Sequence, residues 1–257
     1  MKWEEVSNSI RRHICLSSQP VAIRLFEGRK DILNFSSVKY IGRRTNICQM
    51  IPMARYSDST GSVYTFRENI ACVFGAACLG LIKTPERFAD GSIFMDFAKD
   101  KASALRLQQS VATLGKDGKK YEAIMCAPLK ATPIEPQAIV TYVSPAQALR
   151  LIIASAYHTG ESVEASTVGQ ASVCSSIAKS TLTKKPNLEI PCMGDRVFGY
   201  VQDHEMIFSF PAEFAEPLIE GLNATERLAS YPYHPYLERF IVMPKIQWET
   251  SQEDLSV

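Results

Sequence analysis

The sequence predicts an α/β or α+β fold, and three observations carry that expectation. Apolar, β-prone runs alternate with capped helical stretches along most of the 257 residues, which favours helices packed on a sheet over an all-helical bundle. Hydrophobic residues make up 46% and charged residues 21%, enough to bury a core without disulfides or metals holding it together. No stretch approaches the roughly 18 consecutive apolar residues of a membrane span. Disorder, collagen-like repeats and a coiled-coil rod are excluded on the same composition.

Taken in chain order, Trp3, Val6, Ile10 and Ile14 recur at spacings of three and four, which predicts an amphipathic helix over residues 3 to 15. Val21 to Phe26, behind Pro20, reads as a buried strand. Thr65-Phe-Arg-Glu68 reads as a capping box opening a helix through Cys72 and Cys78 that stops near Gly80. Ser92–Phe97 is β-prone. Asp100 is placed to cap a helix running to Leu114, with Gly115 as its stop. Strands are expected at Tyr121–Ala127, Ala138–Val143, Arg196–Val201 and Glu205–Phe210. Ser144 and Pro145 form a cap and first-turn proline for a helix over 146–158 ending at Gly160. Pro211 starts a last helix through Leu218 to Gly221.

One unit over residues 1–230 is expected, with 231–257 as a C-terminal extension. The prolines between Pro128 and Pro136 mark a candidate internal boundary near residue 135. Strand, capped helix and glycine stop appear at 92–115 and again at 138–160, a pattern-level sign of two similar halves. Tyr231-Pro-Tyr-His-Pro-Tyr236 reads as a well-packed C-terminal loop, with an ordered lid or a partner-binding edge as the alternatives.

Lys and Arg number 28 and Asp and Glu 27, a net charge of +1. That balance supplies no long-range attraction for nucleic acid or an anionic membrane, and neither is expected as a partner. The opening Met-Lys-Trp-Glu-Glu-Val lacks an apolar signal segment, so the expected compartment is the cytoplasm. Thiols stay reduced there, and seven cysteines is an odd count for complete pairing.

Phosphate-loop, dinucleotide-turn, zinc-peptidase and nucleophile-elbow motifs are absent, and the four histidines are scattered. Chemistry therefore rests on the cysteines. Cys48 lies between Lys39, Arg43 and Arg44 on one side and Arg55 on the other, neighbours expected to favour a thiolate. Cys192 sits in the turn Pro191-Cys-Met-Gly-Asp-Arg196, and Cys174 lies among small polar residues. Cys72 is expected in the first turns of its helix, where the dipole favours an anionic sulfur. The four are candidates for one thiophilic metal or iron–sulfur site. No two form a Cys-x-x-Cys pair, and free cysteine often packs simply as a small hydrophobe. Cys15, Cys78 and Cys126, inside apolar runs, read as core.

A second possibility is an anion pocket built on Arg55, Asp195 and Arg196, with Lys184 and Lys185 nearby. A Gly-Asp-Arg turn offers amide N–H groups and a guanidinium to a carboxylate or phosphate. The plain alternative is a surface ion pair between Asp195 and Arg196.

An ordered series of short motifs points to a family. It runs Pro20-Val-Ala-x-Arg24, Cys48-Gln then Ala54-Arg55, Cys72-x-x-Gly-Ala with Gly80-Leu81, Ala127-Pro-Leu129, Pro145-x-Gln-x-Leu149, Cys174, and Pro191-Cys-x-Gly-Asp-Arg196. The series resembles the uncharacterised family called domain of unknown function 169, or ArCR, common in archaea and anaerobic bacteria. It covers roughly residues 3 to 225. The resemblance implies recurring cysteines at the places of Cys48, Cys72, Cys174 and Cys192. It also implies that many members carry another cysteine three residues after the one matching Cys192, where this chain has Asp195.

The leading expectation is a cytoplasmic, cysteine-dependent metal or iron–sulfur protein, with redox or small-anion chemistry beside Arg55 and Arg196. Zinc, or no cofactor, is the alternative to a cluster. A metal-free carboxylate- or phosphate-binding protein and a thiol-nucleophile enzyme are the competing classes. The partner expected in each case is a small, anionic molecule. The sequence names no catalytic residue, reaction or oligomeric state.

Overall fold

A computed structural model describes residues 2–115 and 120–233. The expected C-terminal extension from His234 onward, including the end of the Tyr231–Tyr236 stretch, lies outside the described residues.

Eight strands form one mixed sheet: β1 (Val21–Phe26), β2 (Lys39–Tyr40), β3 (Val63–Phe66), β4 (Ala123–Pro128), β5 (Ala138–Val143), β6 (Glu164–Ala165), β7 (Asn187–Glu189) and β8 (Met206–Pro211). Eleven helices are described: α1 (Trp3–Ile14), α2 (Arg29–Leu33), α3 (Ile47–Arg55), α4 (Val73–Cys78), α5 (Glu86–Ala89), α6 (Lys101–Gln109), α7 (Pro145–Thr159), α8 (Ser172–Thr183), α9 (Met193–Gly199), α10 (Ala215–Ala224) and α11 (Glu226–Ala229). The fold is α/β. Successive strand residues face opposite ways, so each strand feeds two cores. Val21, Ile23 and Leu25 of β1 join residues of α3, α4, α6 and α8 on one face. Ala22 and Phe26 join α1, α7 and α10 on the other.

The strand order is β2-β3-β4-β1-β5-β8-β7-β6, and it reads the same from either edge as two four-strand units. Each outer pair, β2 with β3 and β6 with β7, is parallel, and every other neighbour is antiparallel. The registers correspond as well. Val21 pairs with Pro128 as Ala138 pairs with Pro211, Val63 pairs with Cys126 as Asn187 pairs with Ser209, and Lys39 pairs with Val63 as Glu164 pairs with Asn187. Pro128 and Pro211 both end a strand, and a 3₁₀ turn follows each. The halves meet where β1 and β5 pair antiparallel, Ala22 opposite Ile139. Two similar halves are therefore present, related across the centre of one continuous sheet.

The repeat is not the one that the sequence suggests. Ser92–Phe97 is a 3₁₀ turn, because Gly91 enters it with φ +76° and the Asp90 carboxylate accepts the Ser92 N–H at 2.9 Å. Phe94 then packs edge-on against Phe74 and Phe88. Arg196–Val201, expected as a strand, is mostly α9, since the Asp195 carboxylate accepts the Cys192 N–H and starts a helix there. Thr65 does not cap a helix. It lies in β3 opposite Ile124, and its hydroxyl donates to the Ile41 carbonyl at 2.7 Å. The helix begins later, with Cys72 as its cap residue. Pro211 likewise ends β8, and the α-helix starts at Ala215.

Other signals hold as read. Asp100 accepts the Ser103 N–H at 2.7 Å, although α6 ends at Gln109. Ser144 and Gln147 form the capping box of α7, and Gly160 closes it with φ +66°. Among the described residues, no helix is long and apolar enough to cross a membrane.

Candidate functional site

The four singled-out cysteines all stand at helix starts, and they correspond between the halves. Cys48 is the second residue of α3 and Cys174 the third residue of α8, the helices between the second and third strands of each half. Cys72 caps α4 and Cys192 caps α9, helices that follow the third strand of each half. The packing crosses over: α3 lies against α9 and α4 against α8. Each contact thus joins one cysteine-bearing helix of each half.

Glycines let these helices approach. A Cβ on Gly75 of α4 would lie 3.1 Å from the Cys174 Sγ, and one on Gly199 of α9 would lie 3.1 Å from the Cys48 carbonyl oxygen. Cys48 lies within electrostatic range of Cys192 and Cys72, and Cys174 within range of Cys72 and Cys48. Burial pushes the Cys48 thiol up, and Asp195, Cys192 and Cys72 push it further. Cys174 is raised well above the ordinary thiol value by burial, then by Cys78, Cys72, Asp195 and Cys48. Cys192 is raised by burial and by Asp195. The lowered pKa expected for Cys48 from its basic neighbours is therefore corrected: burial is the largest influence on the thiol, and desolvation wins.

Asp195 sits at the centre of this set. Its Oδ2 accepts the Cys192 N–H at 3.3 Å, the Cys192 thiol at 3.4 Å and the Val173 N–H at 3.4 Å. Its Oδ1 is buried with no hydrogen-bond partner among the described residues. Burial raises the carboxyl to about 6, against the opposing pull of those donors and of the Arg196 charge.

Arg55 and Arg196 do not stand open beside it. The buried Arg55 guanidinium is a two-pronged partner of Glu205, donates to Ser18 at 3.1 Å, and lies 4.4 Å from the ring centre of Tyr142. Arg196 donates to the Gln202 carbonyl at 2.9 Å and faces Asp203 at 3.6 Å. Lys184 and Lys185 are paired elsewhere, with Glu213 and Glu161.

Three further residues belong to the same neighbourhood. Cys78, at the end of α4, is raised by burial and then by Cys72, Glu189 and Cys192. Glu189 of β7 is 1% exposed, and burial raises it to about 9. Tyr142 of β5 is raised by burial, then by Asp195, with Arg55 opposing. The strand pattern around Tyr142 does place it on the same face as Ala138 and Val140. No sequence signal singles out Glu189, which follows a Lys-Lys-Pro turn and looks like a surface residue. Cys126 is fully buried in β4, its thiol raised to about 12 by burial alone.

Among the described residues, no three His, Cys, Asp or Glu side chains stand in metal-holding geometry. The donor types nonetheless suit a thiophilic cation: four thiols, a carboxylate with a free buried oxygen, and ionisations that oppose one another for want of positive charge.

The profile of the uncharacterised ArCR family, domain of unknown function 169, matches residues 9–221. The chain belongs to this family. An uncharacterized protein of Methanocaldococcus jannaschii is 28% identical over 207 residues, covering 79% of this chain and 86% of that relative. No solved structure matches. All four cysteines and Asp195 fall inside the stretch that defines membership in ArCR. Asp195, at the place where the resemblance implies a further cysteine, accepts the Cys192 thiol.

Proposed function

We propose that this ArCR protein holds a thiophilic metal or an iron–sulfur cluster through Cys48, Cys72, Cys174 and Cys192, with Asp195 as an oxygen donor. The observation that carries the reading is the packing of the four cysteine-bearing helix starts across the two halves, with the buried Asp195 carboxylate against Cys192. Cys48, Cys174 and Cys192 resist ionisation because burial and neighbouring acidic groups penalise negative charge there. A cation removes that penalty for all of them at once and binds with release of their protons. It would also draw the side chains closer than they now stand.

When bound, such a centre supplies electron transfer or Lewis-acid activation of a small molecule. The protein's own part is to exclude water with the α3–α9 and α4–α8 contacts. The Cys192 N–H holds Asp195 in place, and the Arg55–Glu205 pair fixes Tyr142 behind the thiols. A thiol-nucleophile reading finds less support, because a reactive cysteine needs a lowered pKa and access, whereas Cys48 and Cys192 are both raised.

The test is purification without oxygen, followed by metal analysis, acid-labile sulfide and a visible spectrum, repeated on C48S, C174S and C192S. Iron with sulfide, or a stoichiometric zinc, that falls in each variant is the expected outcome. A protein that takes up no metal, or variants with unchanged metal content, would overturn the reading.

A further inference from the structure

We propose that the cleft between α3 and α9 binds a small organic oxyanion, a phosphate or carboxylate carried on an aromatic or similarly flat apolar body. The cleft has a volume of about 440 Å³ and is lined by Arg43, Arg44, Gln49, Met53, Phe198 and Tyr200 among others, a size in the range of small-molecule sites. The inference stands on these residues and holds whether or not the thiols beneath carry a metal.

Charge comes first. Arg43 and Arg44 are exposed and, among the described residues, make no ion pair or side-chain hydrogen bond, and the cleft lining contains no acidic residue. Arg29, Arg55, Arg67 and Arg196 each face a carboxylate, so their charge is already met. Two adjacent uncompensated guanidiniums match an oxyanion in a planar, two-pronged way and also stack on flat rings.

The apolar walls are the second observation. Phe198 is 44% exposed and Tyr200 71%, on the two sides of the turn that ends α9. Tyr200 closes that helix at φ +54°, a conformation that costs a bulky residue energy and that glycine usually fills. Met53, partly exposed on α3, faces them across the cleft.

A larger cavity, about 540 Å³, lies between α7 and α8, but its lysines are already engaged. Lys179 pairs with Glu164 at 3.1 Å and Lys185 with Glu161 at 2.5 Å. That cavity therefore offers an oxyanion no free cation, and it serves as the control site.

The experiment is calorimetric titration of the full chain with 1-naphthyl phosphate, with 1-naphthol and inorganic phosphate as half-ligands. Saturable 1:1 binding of the naphthyl phosphate, at least about tenfold tighter than either half-ligand, is expected, because ring and oxyanion are held together. R43Q/R44Q should weaken it about tenfold or more with an unchanged melting temperature, F198A should weaken it less, and K179Q/K185Q should leave it alone. Absence of saturable binding, equal binding of a half-ligand by the unaltered protein, retention by R43Q/R44Q, or loss in K179Q/K185Q would each overturn the proposal.

Discussion

Gly75 of α4 stands so close to Cys174 of α8 that a Cβ on the glycine would lie 3.1 Å from the cysteine sulfur. The two residues belong to different halves of the molecule, and their contact is one of the places where the halves' cysteine-bearing helices close on each other. Ile47 of α3 bounds the same spot, at 3.3 Å from that Cβ position, so the first methyl added there meets packed neighbours on two sides.

Gly75→Ala should therefore destabilise the fold by overpacking, by about 1–3 kcal/mol, lowering the melting temperature by about 2–4 °C for each kcal/mol. The strain is steric, since Gly75 has ordinary helical backbone. Shrinking the sulfur should relieve it, so Gly75→Ala combined with Cys174→Ala should cost less than the two singles added. Strict additivity in thermal unfolding would show that the cysteine is not the obstacle.

Arg55 and Glu205 form the buried ion pair beside Tyr142, at 3% and 10% side-chain exposure. Removing one member of such a pair leaves an uncompensated charge, a loss of about 3–5 kcal/mol. Arg55→Met should show that loss in urea unfolding, and adding Glu205→Gln should restore part of it. A double variant no more stable than Arg55→Met alone would mean that Glu205 is not what the missing guanidinium left stranded.

Glu189 should make stability fall as pH rises. Its carboxyl goes from 4.5 in the unfolded chain to about 9 when folded, chiefly through burial, with Asp195 adding to the shift and Ser172 and Lys179 opposing it. The native state therefore holds a proton that the unfolded chain has released throughout that window. Stability is greatest below the lower value and declines toward the upper one, by at most about 1.4 kcal/mol per pH unit. In metal-free protein, Glu189→Gln should flatten the slope of unfolding free energy between pH 6.5 and 8.5. Equal slopes in the two proteins would show that Glu189 ionises freely in the native state.

Local signals decided the elements whose cause is local. Ser144, Pro145 and Gly160 bracket α7 because capping bonds and a left-handed stop act within a few residues, and the run Ala138–Val143 is a strand at its expected bounds. Where a distant partner competes, local reading fails. Thr65 and Glu68 have the spacing of a cap, yet pairing with β4 took Thr65 into the sheet. Val197 and Phe198 look like strand residues, yet the Asp195–Cys192 bond starts a helix beneath them.

Cys15 is exposed and Cys174 lies within the core, each against its local reading. By itself the sequence determined the α/β class and the membership signalled by its motif series. Those depend on composition, on periodicity and on residues near one another in the chain. Only the tertiary structure decided that the cysteine-bearing helices pack across the two halves, that Asp195 lies against Cys192, and that Arg55 is spent on Glu205 instead of a ligand. That packing follows from the relation between the two halves: the central pairing of β1 with β5 sets α3 against α9 and α4 against α8. A register between strands more than 110 residues apart fixes that placement, and no short-range spacing encodes it.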